Sequence, residues 1–165
     1  MEEMKVILHD LDGQYDEMIR SRCDRVVTAD GKYAPCQGCF GCWTRHPAEC
    51  GMKDRLQQVC RIIGQADELV IITKNLYGGY SAAVKNVLDR SIGTSTPFST
   101  YRGGQMHHTL RYGKHHLWKV IVYGEITEAE KNTFRYLAER NAINDGYRQS
   151  EVIFLTDLAE LGEKL

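Results

Sequence analysis

Short apolar runs alternate along the chain with stretches whose apolar residues recur every three or four positions. Lys5 to Leu8, Glu68 to Thr73, Leu117 to Tyr123 and Val152 to Leu155 have strand length, and Arg25 to Ala29 reads as one more short strand. Glu68-Leu-Val-Ile-Ile-Thr73 is apolar throughout its middle, as expected of a strand covered on both faces. Helical stripes fall between these runs. They are Tyr15, Met18 and Ile19; then Leu56, Val59, Cys60 and Ile63; then Ala82, Ala83, Val84, Val87 and Leu88. Thr127-Glu-Ala-Glu130 forms a capping box for a helix that runs to about Asn144, and a last short helix starts near Asp157. Asp54-Arg-Leu-Gln57 also reads as a helix start, with Asp54 capping and Gln57 reaching back. The alternation predicts an α/β protein with a doubly wound five-stranded parallel sheet, helices on both faces, and ligands at the carboxyl ends of the strands.

The pattern stops from Gly93 to His116. These twenty-four residues hold no acidic side chain, but they hold Arg102, Arg111, Lys114 and four histidines. A loop of that length inside a compact domain reads as a lid or a subunit contact, and its charge would attract an anionic ligand. The chain of 165 residues is long enough for one domain with a real core, spanning residues 1–165. Apolar residues are 42% and charged residues 26%, an ordinary balance for a water-soluble fold. A net charge of −1 argues against non-specific nucleic-acid binding. No apolar run approaches membrane-spanning length, and no signal peptide precedes Val6-Ile7-Leu8. A cytoplasmic location is expected, so the six cysteines should be reduced, metal-bound or redox-active.

Four of those cysteines lie within fifteen residues: Cys36, Cys39, Cys42 and Cys50. Two consecutive x2 spacings let three thiolates converge on one point. That suits an iron–sulfur cluster or zinc, and equally reduced thiols packed as small apolar residues. Cys23 and Cys60 fall in strand and helix patterns and read as core. His107-His108 and His115-His116 are adjacent pairs whose rings project in different directions, with no carboxylate near to orient them, so they read as part of a basic surface. Lys85, Asp89 and Arg90 read as a solvated helix face or a subunit contact. There is no Gly-x-Gly-x-x-Gly fingerprint and no nucleophile–His–acid arrangement, and no catalytic side chain stands out.

Cys36-x-x-Cys39-x-x-Cys42-Trp43 with Cys50 and Asp54, and then Thr73-Lys-Asn-Leu-Tyr-Gly-Gly-Tyr-Ser-Ala-Ala-Val-Lys85-x-x-x-Asp89-Arg90, resemble flavodoxin-like NAD(P)H-dependent FMN reductases. The likeness is greatest to the subgroup that includes iron–sulfur flavoproteins. It implies a flavodoxin-like fold, FMN as cofactor and NAD(P)H as electron donor. It further implies a small-molecule or protein electron acceptor and a homodimer or higher homo-oligomer, with Phe98 to Trp118 suited to that contact. Carried over, the ring-binding loop is Lys74, Asn75, Leu76, Tyr77, Gly78 and Gly79, faced by Tyr123 and Gly124. An iron–sulfur cluster on Cys36, Cys39, Cys42 and Cys50 would relay single electrons. Relatives often have proline in place of Lys74; the lysine would either favour an anionic reduced flavin or point to solvent.

One segment departs from that pattern. Where relatives hold the FMN phosphate in a Gly/Ser/Thr-rich loop, this chain reads His9-Asp10-Leu-Asp12-Gly-Gln-Tyr-Asp16-Glu17. Four carboxylates there should repel a phosphate, and the approach of Cys36 leaves no room for a full first helix. The expectation is an FMN-dependent NAD(P)H oxidoreductase or electron-transfer flavoprotein. The alternatives are a flavodoxin-like binding or regulatory module that has lost FMN, with a structural or redox-sensing cysteine cluster, and an iron–sulfur electron carrier without flavin.

Overall fold

The computed structural model describes residues 3–113 and 115–165. Five parallel strands form the main sheet: β1 Lys5–His9, β2 Arg25–Thr28, β3 Glu68–Lys74, β6 His115–Tyr123 and β7 Tyr147–Phe154. Their order is β2-β1-β3-β6-β7. The register runs Val6 beside Leu69, Ile71 beside Val120, and Val120 beside Val152. Both faces of the central strands are apolar because both are covered. On one face Val6, Leu8, Leu69, Ile71, Trp118 and Val120 pack beneath α2 Val59–Gly64, α3 Ala82–Arg90 and α4 Glu128–Asp145. On the other, Ile7, Val70, Ile72 and Ile121 pack beneath α1 Asp16–Arg20 and α5 Leu161–Lys164. The strands expected from the apolar runs are all present, and α4 begins with the expected Thr127–Glu130 capping box.

Two expectations are corrected. Residues 93–116 are not an irregular loop. They carry an antiparallel hairpin, β4 Ser95–Arg102 and β5 Gln105–Leu110, before β6 begins at His115. Its tip is Gly103-Gly104, both with positive φ (57° and 78°), as a tight primed hairpin turn requires. Lys114 of that basic segment lies outside the described residues. The second correction is at Asp54: α2 starts only at Val59, and Gln57 donates to Glu49 (2.9 Å) instead of capping.

Glycine contacts and arginines fasten the hairpin. The Tyr112 ring occupies the space that a side chain at Gly64 would need. Leu110 likewise fills the space over Gly146, which ends α4 with φ 81°. Arg102 donates to the carbonyls of Asn144 (2.7 Å) and Ile143 (3.4 Å), satisfying acceptors that a helix end leaves open. Arg111 donates to Gly93 O (3.1 Å) and Ser95 O (3.3 Å). Both guanidinium groups are committed to backbone, which displaces the expectation that this segment offers them to an anion. Trp118, expected on a contact surface, is in the core at 1% exposure, whereas Phe98, Tyr101 and Met106 are exposed.

Gly64→Ala tests the Tyr112 contact. Alanine is the better helix former by about 1 kcal/mol. Even so, the variant should lose about 1–2 kcal/mol in chemical denaturation, because its methyl drives into the Tyr112 ring.

Candidate functional site at the carboxyl ends of the strands

The strand order reverses direction beside β1, and there the carboxyl ends of β1, β3 and β6 open onto a cleft of about 500 Å³. Asp10, Asp12, Gly13, Asp16, Thr28, Asp30, Lys74, Ser81 and Tyr123 are among its lining residues. Asp10 ties its floor together. One carboxylate oxygen accepts from Tyr123 Oη (3.0 Å) and the other from the Lys74 amide (3.0 Å). Thr73 Oγ1 accepts from the Ser81 amide (2.9 Å), and Ser81 Oγ accepts from the Val84 amide (3.3 Å) to cap α3. Burial first, and the Asp10 carboxylate second, push the Tyr123 phenol well above its ordinary pKa, so it donates rather than ionises. His9 is buried just below, and burial lowers its pKa.

Lys74 to Gly79 leaves the end of β3 in a tight turn. Leu76 and Gly79 exchange both backbone hydrogen bonds (3.0 Å each), with Tyr77 and Gly78 between them at φ 51° and 79°. This is the backbone of a primed two-residue turn. Glycine adopts it freely; tyrosine does so at a cost of about 1–3 kcal/mol. Gly78 is also required sterically, since a methyl there would stand 3.1 Å from Glu130 O and Thr133 Cβ of α4. Asn75 holds the turn: its side chain donates to Glu125 O (2.8 Å) and accepts from the Gly78 amide (3.0 Å), and its own amide donates to Tyr123 O (2.8 Å). Gly124, at φ 91°, lies beside the Lys74 side chain. The resemblance-derived residues Lys74 to Gly79, Tyr123 and Gly124 are therefore brought together. Tyr77 itself is 87% exposed, a strained aromatic presented to solvent.

The four cysteines are brought together elsewhere. Cys36, Cys39, Cys42 and Cys50 line one small cavity of about 70 Å³ with Arg90 and Met52. Cys36 and Cys39 are exposed; Cys42 and Cys50 are buried. Among the described residues, no group of three or more His, Cys, Asp or Glu side chains is arranged to hold a metal ion. Cys60 is core, as its pattern indicated, but it also touches this site. Its one S–H has two acceptors in reach, the Arg90 carbonyl (3.2 Å) and the Cys42 sulfur. When the proton points to Cys42 it lowers the Cys42 pKa and raises that of Cys60. Gly93 makes room for the pair, since a methyl there would lie 2.8 Å from Cys60 Sγ and 3.0 Å from Cys42 Cβ.

Arg90 is the residue that sequence reasoning placed wrongly. It is not on a solvated helix face; it is 1% exposed. Its guanidinium makes a two-point pair with Asp54 (2.7 and 2.8 Å) and donates to Ala34 O (2.8 Å). Lys85 and Asp89 do form the expected exposed i,i+4 pair. Trp43 Nε1 donates to Ile92 O (2.9 Å), and its ring lies 4.6 Å from His108, which joins the cysteine loop to the hairpin.

The ring end and the phosphate end of the cleft differ when matched to FMN. At the ring end, beside Lys74, the exposed Tyr77 suits a flat heterocycle, whereas Gly78 and Gly79 pack against α4. At the other end the residues do not suit a phosphate monoester. Asp10, Asp12, Asp16 and Asp30 line it, and α1 is only five residues long with Asp16 and Glu17 in its first turn. Asp30 and Thr28 joined this set unforeseen, whereas Glu17, counted among the four carboxylates in the sequence, does not line the cleft.

A parallel sheet of order β2-β1-β3-β6-β7, with helices on both faces and a cleft at its switch point, defines a flavodoxin-like protein. Residues 25–108 match the NADPH-dependent FMN reductase family, and the chain belongs to it. Among solved structures it is similar to an FMN-dependent NADH-azoreductase from Bacillus anthracis in complex with FMN. The TM-score is 0.59 at 11% identity, covering 98% of this chain and 93% of that one. An NAD(P)H:quinone oxidoreductase from Methanothermobacter marburgensis gives 0.54 at 14% identity, covering 99% and 93%. An NADPH-quinone reductase from P. pentosaceus gives 0.52 at 13% identity, covering 99% and 92%. At these identities the likeness establishes the shared fold. No curated protein matches the chain. No helix among the described residues is long and apolar enough to cross a membrane.

The Asp54–Arg90 pair predicts a pH-dependent stability difference. Arg90 holds the Asp54 carboxyl down to about 2, against about 3.9 in an unfolded chain. The stabilisation is therefore complete above about pH 4 and is lost as pH falls toward 2. Asp54→Asn should cost about 2–3 kcal/mol at neutral pH, less than the loss of a fully buried pair because Asp54 keeps 24% of its side-chain surface exposed. Urea titrations at stepped pH should show the gap between variant and wild type closing below about pH 4.

Proposed function

We propose that the protein is a flavin-dependent NAD(P)H oxidoreductase. Its flavin ring would lie against the Lys74–Gly79 turn and Tyr123-Gly124, and its polar tail would run toward the Asp-lined end of the cleft. The observation that carries this reading is Tyr77. A non-glycine residue in the left-handed region, with its ring almost wholly exposed, contributes little to the fold, and it sits three residues past Lys74, a lining residue of the cleft. Membership of the NADPH-dependent FMN reductase family supports the same chemistry. In this reading the redox chemistry belongs to the flavin, and the chain's residues bind and orient it. Tyr77 covers the ring, Asn75 fixes the turn, and Lys74 and Tyr123 border the cleft. The cysteine cavity forms no part of the proposed reaction. A homodimer built on the hairpin's exposed Phe98, Tyr101 and Met106 is compatible with it, and light scattering of the eluted protein would show the dimer mass.

Two measurements test the proposal. Under argon, NADPH or NADH should bleach flavin added to the protein much faster than it bleaches free flavin, and equal rates would reject oxidoreductase activity. Tyr77→Gly should leave stability within about 1 kcal/mol of wild type, because relief of positive φ offsets the added chain entropy. The same variant should weaken flavin binding roughly three- to tenfold, the value of one aromatic contact. Unchanged flavin affinity in that variant would remove Tyr77 from the site.

A further inference from the structure

Within the flavin reading, the acidic end of the cleft says which flavin. We infer that the chain binds a flavin with an uncharged ribityl tail, as in riboflavin, and that Asp12 and Asp16, with Asp10 and Asp30 behind them, exclude the phosphate of FMN.

Charge, hydrogen-bond chemistry and local structure lead to the same end. Four carboxylates line that part of the cleft, against one lining cation, Lys74. Asp30 is compensated by Arg55, with which it pairs. Asp10 is satisfied by the Tyr123 hydroxyl and the Lys74 amide. Asp12 and Asp16 make no ion pair among the described residues, and Lys74 is the one cation that lines the cleft with them. A phosphate monoester at neutral pH is close to a dianion and offers mainly acceptor oxygens. An ionised carboxylate also only accepts. A phosphate tail would set acceptor against acceptor and charge against like charge, whereas a ribityl tail offers hydroxyl donors to each carboxylate. No local anion receptor offsets this, because α1 is a single short turn and a half that opens with Asp16 and Glu17. At about 500 Å³ the cleft lies within the range of small-molecule sites.

The test is an equilibrium titration of the full chain with riboflavin and with FMN, followed by quenching of flavin fluorescence at low and at high salt. Riboflavin should bind about tenfold or more tightly than FMN at low salt, about 1.4 kcal/mol. Added salt should narrow the gap by screening the carboxylates. The double variant Asp12→Asn, Asp16→Asn should cut the preference to about threefold or less, chiefly by gaining FMN affinity. Asp12 is exposed and its side chain caps nothing, while Asp16 opens α1 and loses a helix-end charge worth about 0.3–1 kcal/mol, so the variant should stay folded with its melting point lowered by no more than about 4 °C. Equal or tighter binding of FMN overturns this inference and leaves the flavin reading standing. A preference that survives the double variant unchanged overturns the assignment to these carboxylates. Binding of neither flavin removes the flavin reading itself, and this inference with it.

Discussion

The pair between Asp54 and Arg90 is the constraint on which the rest of the molecule leans. Arg90 ends α3, the helix that leaves the candidate flavin turn, and Asp54 lies at the far end of the cysteine loop. The guanidinium is fully enclosed, so its charge is tolerable only with a carboxylate in place. Because the contact has two points and a third donation to Ala34 O, it fixes orientation as well as distance. Residues 30–58 have no strand or helix of their own, yet Tyr33 donates to Ala83 O (2.8 Å), and Trp43 is held on Ile92. Together with the Asp54–Arg90 pair these contacts hold the loop on α3. The four cysteines share a cavity for the same reason, and Arg90 is one of its walls.

Asp10 does at the strand ends what Arg90 does at the loop. It sits one residue past β1 and binds groups from β3 and β6, so three strands end in a fixed relation. Asp10 is thus a structural acceptor for the sheet. Asp12 and Asp16 have no such duty among the described residues, and it is to them that the proposed exclusion of a phosphate is assigned. In the proposed flavin site the aromatic face and the polar tail site come from separate segments, residues 74–79 and 10–16. Nothing in the sheet obliges them to change together.

Most of the architecture was legible in the sequence because periodicity reports burial, and burial here follows the layers closely. Glu68 to Thr73 reads as a doubly covered strand and is one; Thr127 to Glu130 reads as a capping box and is one. The tight turn from Leu76 to Gly79 was legible through its paired glycines. The failures share a physical cause, which is that a partner distant in sequence outweighed a local preference. Asp54 has the spacing of a helix cap, but an arginine 36 residues away offers two charge-assisted bonds where a cap offers one. Arg90 has the spacing of an exposed face, yet the loop folds over it. The hairpin at 95–110 hid because β4 and β5 are mostly exposed two-stranded segments, so burial imposes no alternation on them. Its sole local signal was Gly103-Gly104, which marks a hairpin turn only when flanked by strands already recognised.

Departures from local preference gather at two places, the strand ends and the cysteine loop, where Phe40 and Ala48 take positive φ (53° and 64°). At the carboxyl ends of β1, β3 and β6, Tyr77 holds a strained conformation, Asp12 and Asp16 make no ion pair among the described residues, and Gly78 and Gly124 take positive φ. Those at the strand ends, where an open sheet binds ligands, fit the proposed flavin site. They also separate two kinds of loss. Had the cleft simply decayed, small polar residues or apolar fillers would relax it at no cost. Instead it keeps an exposed aromatic in a conformation that costs energy, and charges that repel one another. Both features gain from a ligand that covers a ring face and donates hydroxyls to the acids, and neither gains from an empty cleft.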